Sequence, residues 1–252
     1  MPYPSYVLKE VAFPGTLTLG QKSSSVKKLQ EWLSLQGQGC EPDGSFGNAT
    51  LSCLQHFQLR HHLPRSNLLD LQCWELLIAP MQRALAPITL PSTLPADVLA
   101  IARQHLAEHP IEVGGDNKGP WVRLYMQANE GPAWYWCAGF VSFVLKQSCM
   151  QAGRSMPIPG SFSCDLLASQ AKAANLFVPE KQAYSIKPDQ VFIFLVRKSS
   201  ADWIHTGFGF DMQSDGVFQT IEGNTNNDGS RNGYEVCQRT RTVKGKDFVL
   251  LP

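Results

Sequence analysis

The hydrophobic pattern of this chain changes period near residue 175, and that change limits its fold more than any other feature. Before it, apolar residues recur at helical spacing: Val26, Leu29 and Trp32 or Leu33, then Leu51, Leu54 and Phe57, then Trp74, Leu77 and Ile78, then Val98, Ile101, Ala102 and Leu106. After it, Val191 to Val196 is a continuous apolar run, which fits a central strand. Ile204 to Phe210 and Gly216 to Glu222 alternate, and Val236 to Thr242 and Phe248 to Leu251 read as closing strands. Helices first and antiparallel strands afterwards specify the α+β class.

The helical part is itself divided. Pro80, Pro87, Pro91 and Pro95 stand among small and aliphatic residues where periodicity lapses. Such spacing resists helix and sheet and predicts an extended, fairly stiff linker. The resulting layout is a lead segment over 1–15, a small all-α domain of three short helices over 16–79, the linker over 80–95, and an α+β domain over 96–252. A length of 252 residues accommodates two modest domains.

Composition excludes several function classes. Apolar content of 43% and charged content of 17% describe a globular protein, and a net charge of +1 gives no reason to expect nucleic acid or an anionic membrane as partner. The longest apolar run, around Phe140, is too short to span a membrane. The first residues, MPYPSYVLKEVAFPG, have no basic stretch followed by an apolar one, so synthesis in the cytoplasm is expected. Seven cysteines form no Cys-x-x-Cys pair, which argues against a zinc ribbon. Cys40 and Cys53 flank one loop and could pair only in an oxidising compartment.

The candidate site begins with Tyr135-Trp136-Cys137-Ala138-Gly139-Phe140, where a cysteine stands at the first turn of an apolar helix. The positive end of a helix favours thiolate there. Free cysteines are also commonly buried for packing alone, so Cys137 needs partners to count as a nucleophile. A hairpin turn near Met212 to Gly216 places His205 opposite a residue between Glu222 and Asn226. Glu222 and Asn224, two apart, share a face, so one or both fall beside His205. Thiol, imidazole and polar acceptor form a nucleophile, base and orienting group. Trp134, Tyr135 and Trp136 are expected to line a substrate cleft, and the Gly114 to Gly119 turn with Asn117 to form a second wall. No cofactor is implied. Asn224, Asn226, Asp228, Gly229 and Glu235 have the spacing of a calcium loop, but strand-like flanks and Arg231 inside the loop argue against a metal there.

Two resemblances add to this reading. Val26-x-x-Leu29-Gln30, Asp43-Gly44-x-Phe46-Gly47-x-x-Thr50, Phe57-Gln58 and Trp74-x-x-Leu77 resemble the peptidoglycan-binding module of bacterial cell-wall hydrolases, over residues 16–79. The usual glycine turn is missing between Asn67 and Leu71. Trp136-Cys137-Ala138-x-Phe140-Val141, His205-Thr206-Gly207-x-Gly209, Glu222-Gly223-Asn224-Thr225, Gly233 and Arg239-x-Arg241 resemble the CHAP-type amidase and peptidase domains, within the NlpC/P60 and papain-like group. That second resemblance implies a rearranged papain-like fold and cleavage of an amide in peptidoglycan. It further implies Cys137 as nucleophile, His205 as base, Glu222 as third member and Asn224 as an aid near the oxyanion or imidazole. The third polar residue is where members of that group differ. The implied protein is a phage endolysin or an interbacterial effector, acting in the periplasm or wall after lysis or injection. The effector case brings a secretion machine and a cognate immunity protein as partners. Two other functions fit the same chain: a catalytically silent wall-binding protein, and a papain-like hydrolase acting on a protein substrate.

Overall fold

The computed structural model describes residues 3–226 and 233–252. In chain order its elements are α1 (Ser5–Val11), β1 (Leu17–Thr18), α2 (Ser24–Leu35), α3 (Asn48–Arg60), β2 (Leu68–Leu69), α4 (Leu71–Leu85), α5 (Leu94–Ala107), α6 (Pro120–Tyr125), α7 (Cys137–Ala152), α8 (Cys164–Ala173), β3 (Phe177–Val178), a 3₁₀ turn (Glu180–Ser185), β4 (Phe192–Ser199), β5 (Asp202–Phe210), β6 (Val217–Thr225), β7 (Glu235–Thr242) and β8 (Lys246–Leu250). The chain is therefore α+β, with antiparallel sheets. Among the described residues, no helix is long and apolar enough to cross a membrane.

The chain divides into two compact units, and the division is not the one expected along the sequence. The first unit joins the described residues up to Leu85 with Ile111–Pro132, and the second joins Ala86–Pro110 with Ala133–Pro252. The lead segment is part of the first unit and contains α1, with Val7 fully buried. Helix α4 does not stop at Ile78 but continues through Pro80 to Leu85. Proline removes one donor, which leaves the Leu76 carbonyl without its helical partner. Leu77, Ile78, Met81, Ala84 and Leu85 are nevertheless buried on one side, and that apolar burial outweighs the lost bond. The extended linker shrinks accordingly to residues 86–93.

Within the first unit, the residues that carried the resemblance hold the loops together. Gln30 is almost fully buried; its Nε2 donates to Asp43 Oδ1 at 2.8 Å and to Thr50 Oγ1 at 2.9 Å, and its Oε1 accepts from Gly44 N–H at 2.7 Å. Gln58 does the same for the later loop, donating to Ser66 Oγ at 2.8 Å and accepting from Ser66 N–H at 2.9 Å. Buried amides of this kind must be paired, so they fix loop positions that apolar contacts leave free. The segment 111–132 joins the same unit for two reasons. Trp121, Val122, Leu124 and Tyr125 of α6 are all buried, with Trp121 edge-on to Trp32 at 6.3 Å. Arg123 lies among three carboxylates, 2.8 Å from Glu10, 2.7 Å from Glu31 and 2.8 Å from Glu130.

The second unit is built on a six-stranded antiparallel sheet in the order β3-β8-β4-β5-β6-β7. The last strand in sequence, β8, pairs with both β3 and β4 and so is interior. Phe192 and Phe194 of β4, Phe218 of β6 and Phe248 of β8 pack with Ala183 and Ile186 on one face. Helix α7 packs against β5 and β6, with Phe140 edge-on to Phe208 at 6.1 Å. Coverage on both faces is why β4 reads as an unbroken apolar run.

Candidate active site

Cys137 is the first residue of α7. The residue before it, Trp136, supplies no capping side chain; instead Asn224 Oδ1 accepts the Trp136 N–H at 3.1 Å, while the Trp136 carbonyl accepts from Phe140 N–H at 2.8 Å. The helix start lies close against β6 because Gly223 has no side chain. A Cβ there would stand 2.7 Å from Phe140 Cβ and 2.8 Å from Trp136 Cζ3.

The hairpin partners meet as the alternation implied. Strands β5 and β6 pair Phe208 with Ile221, Gly209 with Thr220 and Phe210 with Gln219. Continuing that register by one pair sets Gly207 opposite Glu222, with His205 diagonal to it. His205 Nε2 lies 2.7 Å from Glu222 Oε2. Gly207 makes this possible, since a Cβ there would be 2.9 Å from both Glu222 Cγ and Phe194 Cε1. Glu222 is fully buried and saturated with donors: Arg241 Nε at 2.7 Å, Arg241 Nη2 at 2.6 Å and Thr220 Oγ1 at 2.6 Å. The guanidinium also stands over the Phe194 ring, 5.7 Å from its centre.

Glu222 and Asn224 do not share a face. Asn224 has φ of 54°, and the β6–β7 pairing shifts between Glu222 and Thr225. This left-handed residue within a bulge breaks the strand alternation. Its amide is used by the Trp136 N–H and by the Gly233 carbonyl, which accepts from Nδ2 at 2.5 Å. Glu222 thus faces the imidazole, and Asn224 fixes the start of the cysteine helix.

The electrostatics separate the roles. The Cys164 thiol, 3.9 Å from the Cys137 sulfur, and the His205 imidazole hold the Cys137 thiol well below the ordinary range despite its burial. Burial alone would depress His205, but the Cys137 sulfur and the Glu222 carboxylate raise it to about 9. Burial works against ionised Glu222, yet Arg241 and His205 hold it well below the usual carboxylate range. With Nε2 engaged by Glu222, Nδ1 is the nitrogen left for the thiol. These shifts favour a thiolate–imidazolium pair beside a buried carboxylate.

Other expected site residues lie elsewhere. Trp136 is fully buried against Gly223, so it is part of the core and not a cleft wall. Tyr135 is 43% exposed, and Trp134 is half-buried and edge-on to Phe162 at 6.1 Å. Asn117 belongs to the first unit, where it is buried; its N–H donates to Glu112 at 2.7 Å and its carbonyl accepts from Gly131 N–H at 2.7 Å. It shapes its own loop. Of the calcium-like spacing, Asp228, Gly229 and Arg231 lie outside the described residues, while the Glu235 carboxylate is 2.8 Å from His109 Nε2.

Sequence reasoning missed Cys164, whose Sγ is 3.9 Å from Cys137 Sγ. Its signal was available in Ser163-Cys164-Asp165, a serine-capped helix that, like α7, opens on a cysteine. All seven cysteines are free thiols. A comparison with protein-family models found no match, and a comparison with curated proteins found none either.

Proposed function

We propose that this chain is a cysteine-dependent peptidoglycan hydrolase whose second unit is a papain-like amidase or endopeptidase of the CHAP type. The observation that carries this reading is the Cys137–His205–Glu222 set: a buried carboxylate lies 2.7 Å from an imidazole, and that imidazole acts electrostatically on a helix-start thiol. A thiolate held by an imidazolium is suited to attack on an amide carbonyl. The amides at the start of α7 have no partner one turn earlier and receive the developing oxyanion. The imidazolium of His205 then protonates the leaving amine as the carbon–nitrogen bond breaks, giving a thioester at Cys137. Neutral His205 next takes a proton from water, whose oxygen attacks the thioester and releases the acid and the thiolate. Glu222, held by Arg241 and Thr220, keeps the imidazole in one orientation through both steps.

The substrate assignment has separate support. The first unit retains the helix–turn–helix words of a wall-binding module as a working hydrogen-bond network around Gln30 and Gln58. Such a module would concentrate the second unit on a polymer. Exposed Tyr135 and half-buried Trp134 are the residues assigned to the cleft wall. Action in the periplasm or wall, with delivery by lysis or by a secretion machine and with an immunity protein as partner, belongs to the same proposal.

The test is mass spectrometry of purified sacculi treated with wild type and with Cys137→Ala. New stem-peptide or lactyl-amide termini from wild type alone support the reading and identify the bond. Identical products from both proteins would sink the cysteine mechanism, and protein cleavage without wall release would redirect it to a protein substrate.

A further inference from the structure

The acyl-transfer reading leaves one buried nucleophilic group unused. Cys164 opens α8, where Ser163 Oγ accepts the Leu166 N–H at 3.3 Å and caps the helix. Its sulfur faces that of Cys137 at 3.9 Å, and the two residues are only 7% and 5% exposed. The thiols are already in contact, and a disulfide requires their sulfurs to close to about 2.05 Å.

The two thiols are chemically unequal. The Cys164 hydrogen bond and then His205 hold the Cys137 thiol well below its ordinary range, while the neighbouring Cys137 sulfur and burial push the Cys164 thiol well above its own. Thiolates react with peroxides and thiols do not. Burial keeps other cysteines protonated, with Cys73 pushed up to about 12 and Cys237 to about 11. A peroxide that reaches this unit therefore meets one reactive sulfur with a second one beside it.

We propose that Cys164 is the resolving thiol of Cys137, so that peroxide converts the pair to a Cys137–Cys164 disulfide that a dithiol reverses. In the first step the Cys137 thiolate attacks one peroxide oxygen; the O–O bond breaks and leaves as hydroxide, giving a sulfenic acid. Cys164 then gives its proton to that hydroxide and attacks the Cys137 sulfur. The sulfur–sulfur bond forms and the sulfur–oxygen bond breaks, releasing water once the leaving hydroxide takes a proton from His205. A dithiol reductant returns both thiols and is itself oxidised to its disulfide. The modification stops acyl transfer reversibly and shields Cys137 from sulfinic acid, which ordinary reductants do not reverse. The inference concerns the two sulfurs alone and stands whatever the amide substrate is.

The experiment uses the full chain, as wild type, Cys164→Ser and Cys164→Ala, treated with hydrogen peroxide at neutral pH. Residual thiols are alkylated, and unreduced peptides are mapped by mass. Wild type is expected to give a cross-linked peptide pair containing Cys137 and Cys164, short of two hydrogens, with both thiols recovered by dithiothreitol. Both variants are expected to give Cys137 carrying two or more added oxygens, with no recovery. Wild-type Cys137 bearing added oxygens beside an alkylated Cys164 would overturn the proposal. So would survival of both thiols, or equal recovery in all three proteins.

Discussion

Each unit of this molecule buries an arginine against carboxylate, and only one of the two clusters has the parts of a reaction centre. In the first unit the Arg123 guanidinium is bounded by Glu10, Glu31 and Glu130, and its hydrogen bonds are to carboxylates, with Glu10 and Glu31 distant in sequence and Glu130 seven residues on. In the second unit Arg241 and Thr220 hold a single carboxylate, Glu222, which keeps one oxygen on His205. The first arrangement pins residues 111–132 to the helices of its unit. The second orients an imidazole and favours its charged form. A buried ion cluster is therefore weak evidence for chemistry; what distinguishes the second is a titratable ring on one side and a nucleophile beyond it.

Substitutions should separate the two clusters. On the proposed wall-hydrolase function, the largest expected effect is on activity: Cys137→Ala removes the reacting atom and should lower release of wall fragments by roughly a thousandfold or more. Next, Arg123→Met leaves Glu10, Glu31 and Glu130 to the more distant Lys27 and Lys28. It should cost about 2–4 kcal/mol in a denaturant melt while alkylation of Cys137 keeps its pH dependence. Arg241→Met should cost less stability, because His205 still faces Glu222, but it should change that pH dependence. If the two arginine variants behaved alike in both readouts, the distinction drawn between the clusters would fail.

Protonation offers a finer comparison. Folded His205 holds its proton to about 9, whereas an unfolded histidine releases it near about 6.5. The stability contributed by this imidazolium is thus complete below about 6.5 and is lost as the pH rises through about 9. The difference in melting temperature between wild type and His205→Gln should narrow across that window. The difference for Arg123→Met should stay flat there, because guanidinium does not titrate. The smallest effect concerns Asn224. Asn224→Gly keeps the backbone free to hold φ of 54° but loses both the acceptor for Trp136 N–H and the donor to the Gly233 carbonyl, so about 1–2 kcal/mol is expected. Asn224→Ala adds a strained φ and should melt lower than the glycine variant.

How far the sequence spoke for itself differed between the two units as well. In the second, the period change located the strands, and the hairpin turn was tight enough for register to bring His205 beside Glu222. Alternation then failed at Asn224, because a positive φ and a bulge are tertiary features that no spacing rule records. In the first unit, helices α2 and α3 were evident from their apolar stripes. Helix α1 was hidden by prolines on either side, and α4 ran through Pro80 because its apolar side continues to Leu85. That residues 111–132 belong with the first unit rests on Arg123 and Trp121 meeting partners some ninety positions away, which local pattern cannot reveal. Trp136 looked like a cleft residue because aromatic character alone does not distinguish a wall from a core.

The central claim is that His205, oriented by Glu222, keeps Cys137 as a thiolate. Its most direct measurement is the rate of Cys137 alkylation by iodoacetamide as a function of pH, followed by peptide mass spectrometry in wild type and His205→Ala. Wild-type Cys137 is expected to stay reactive well below the ordinary thiol range, with the midpoint in His205→Ala moving up toward about 8.5 or above. A wild-type profile that already sits in the ordinary thiol range, or one that His205→Ala leaves in place, would contradict the account.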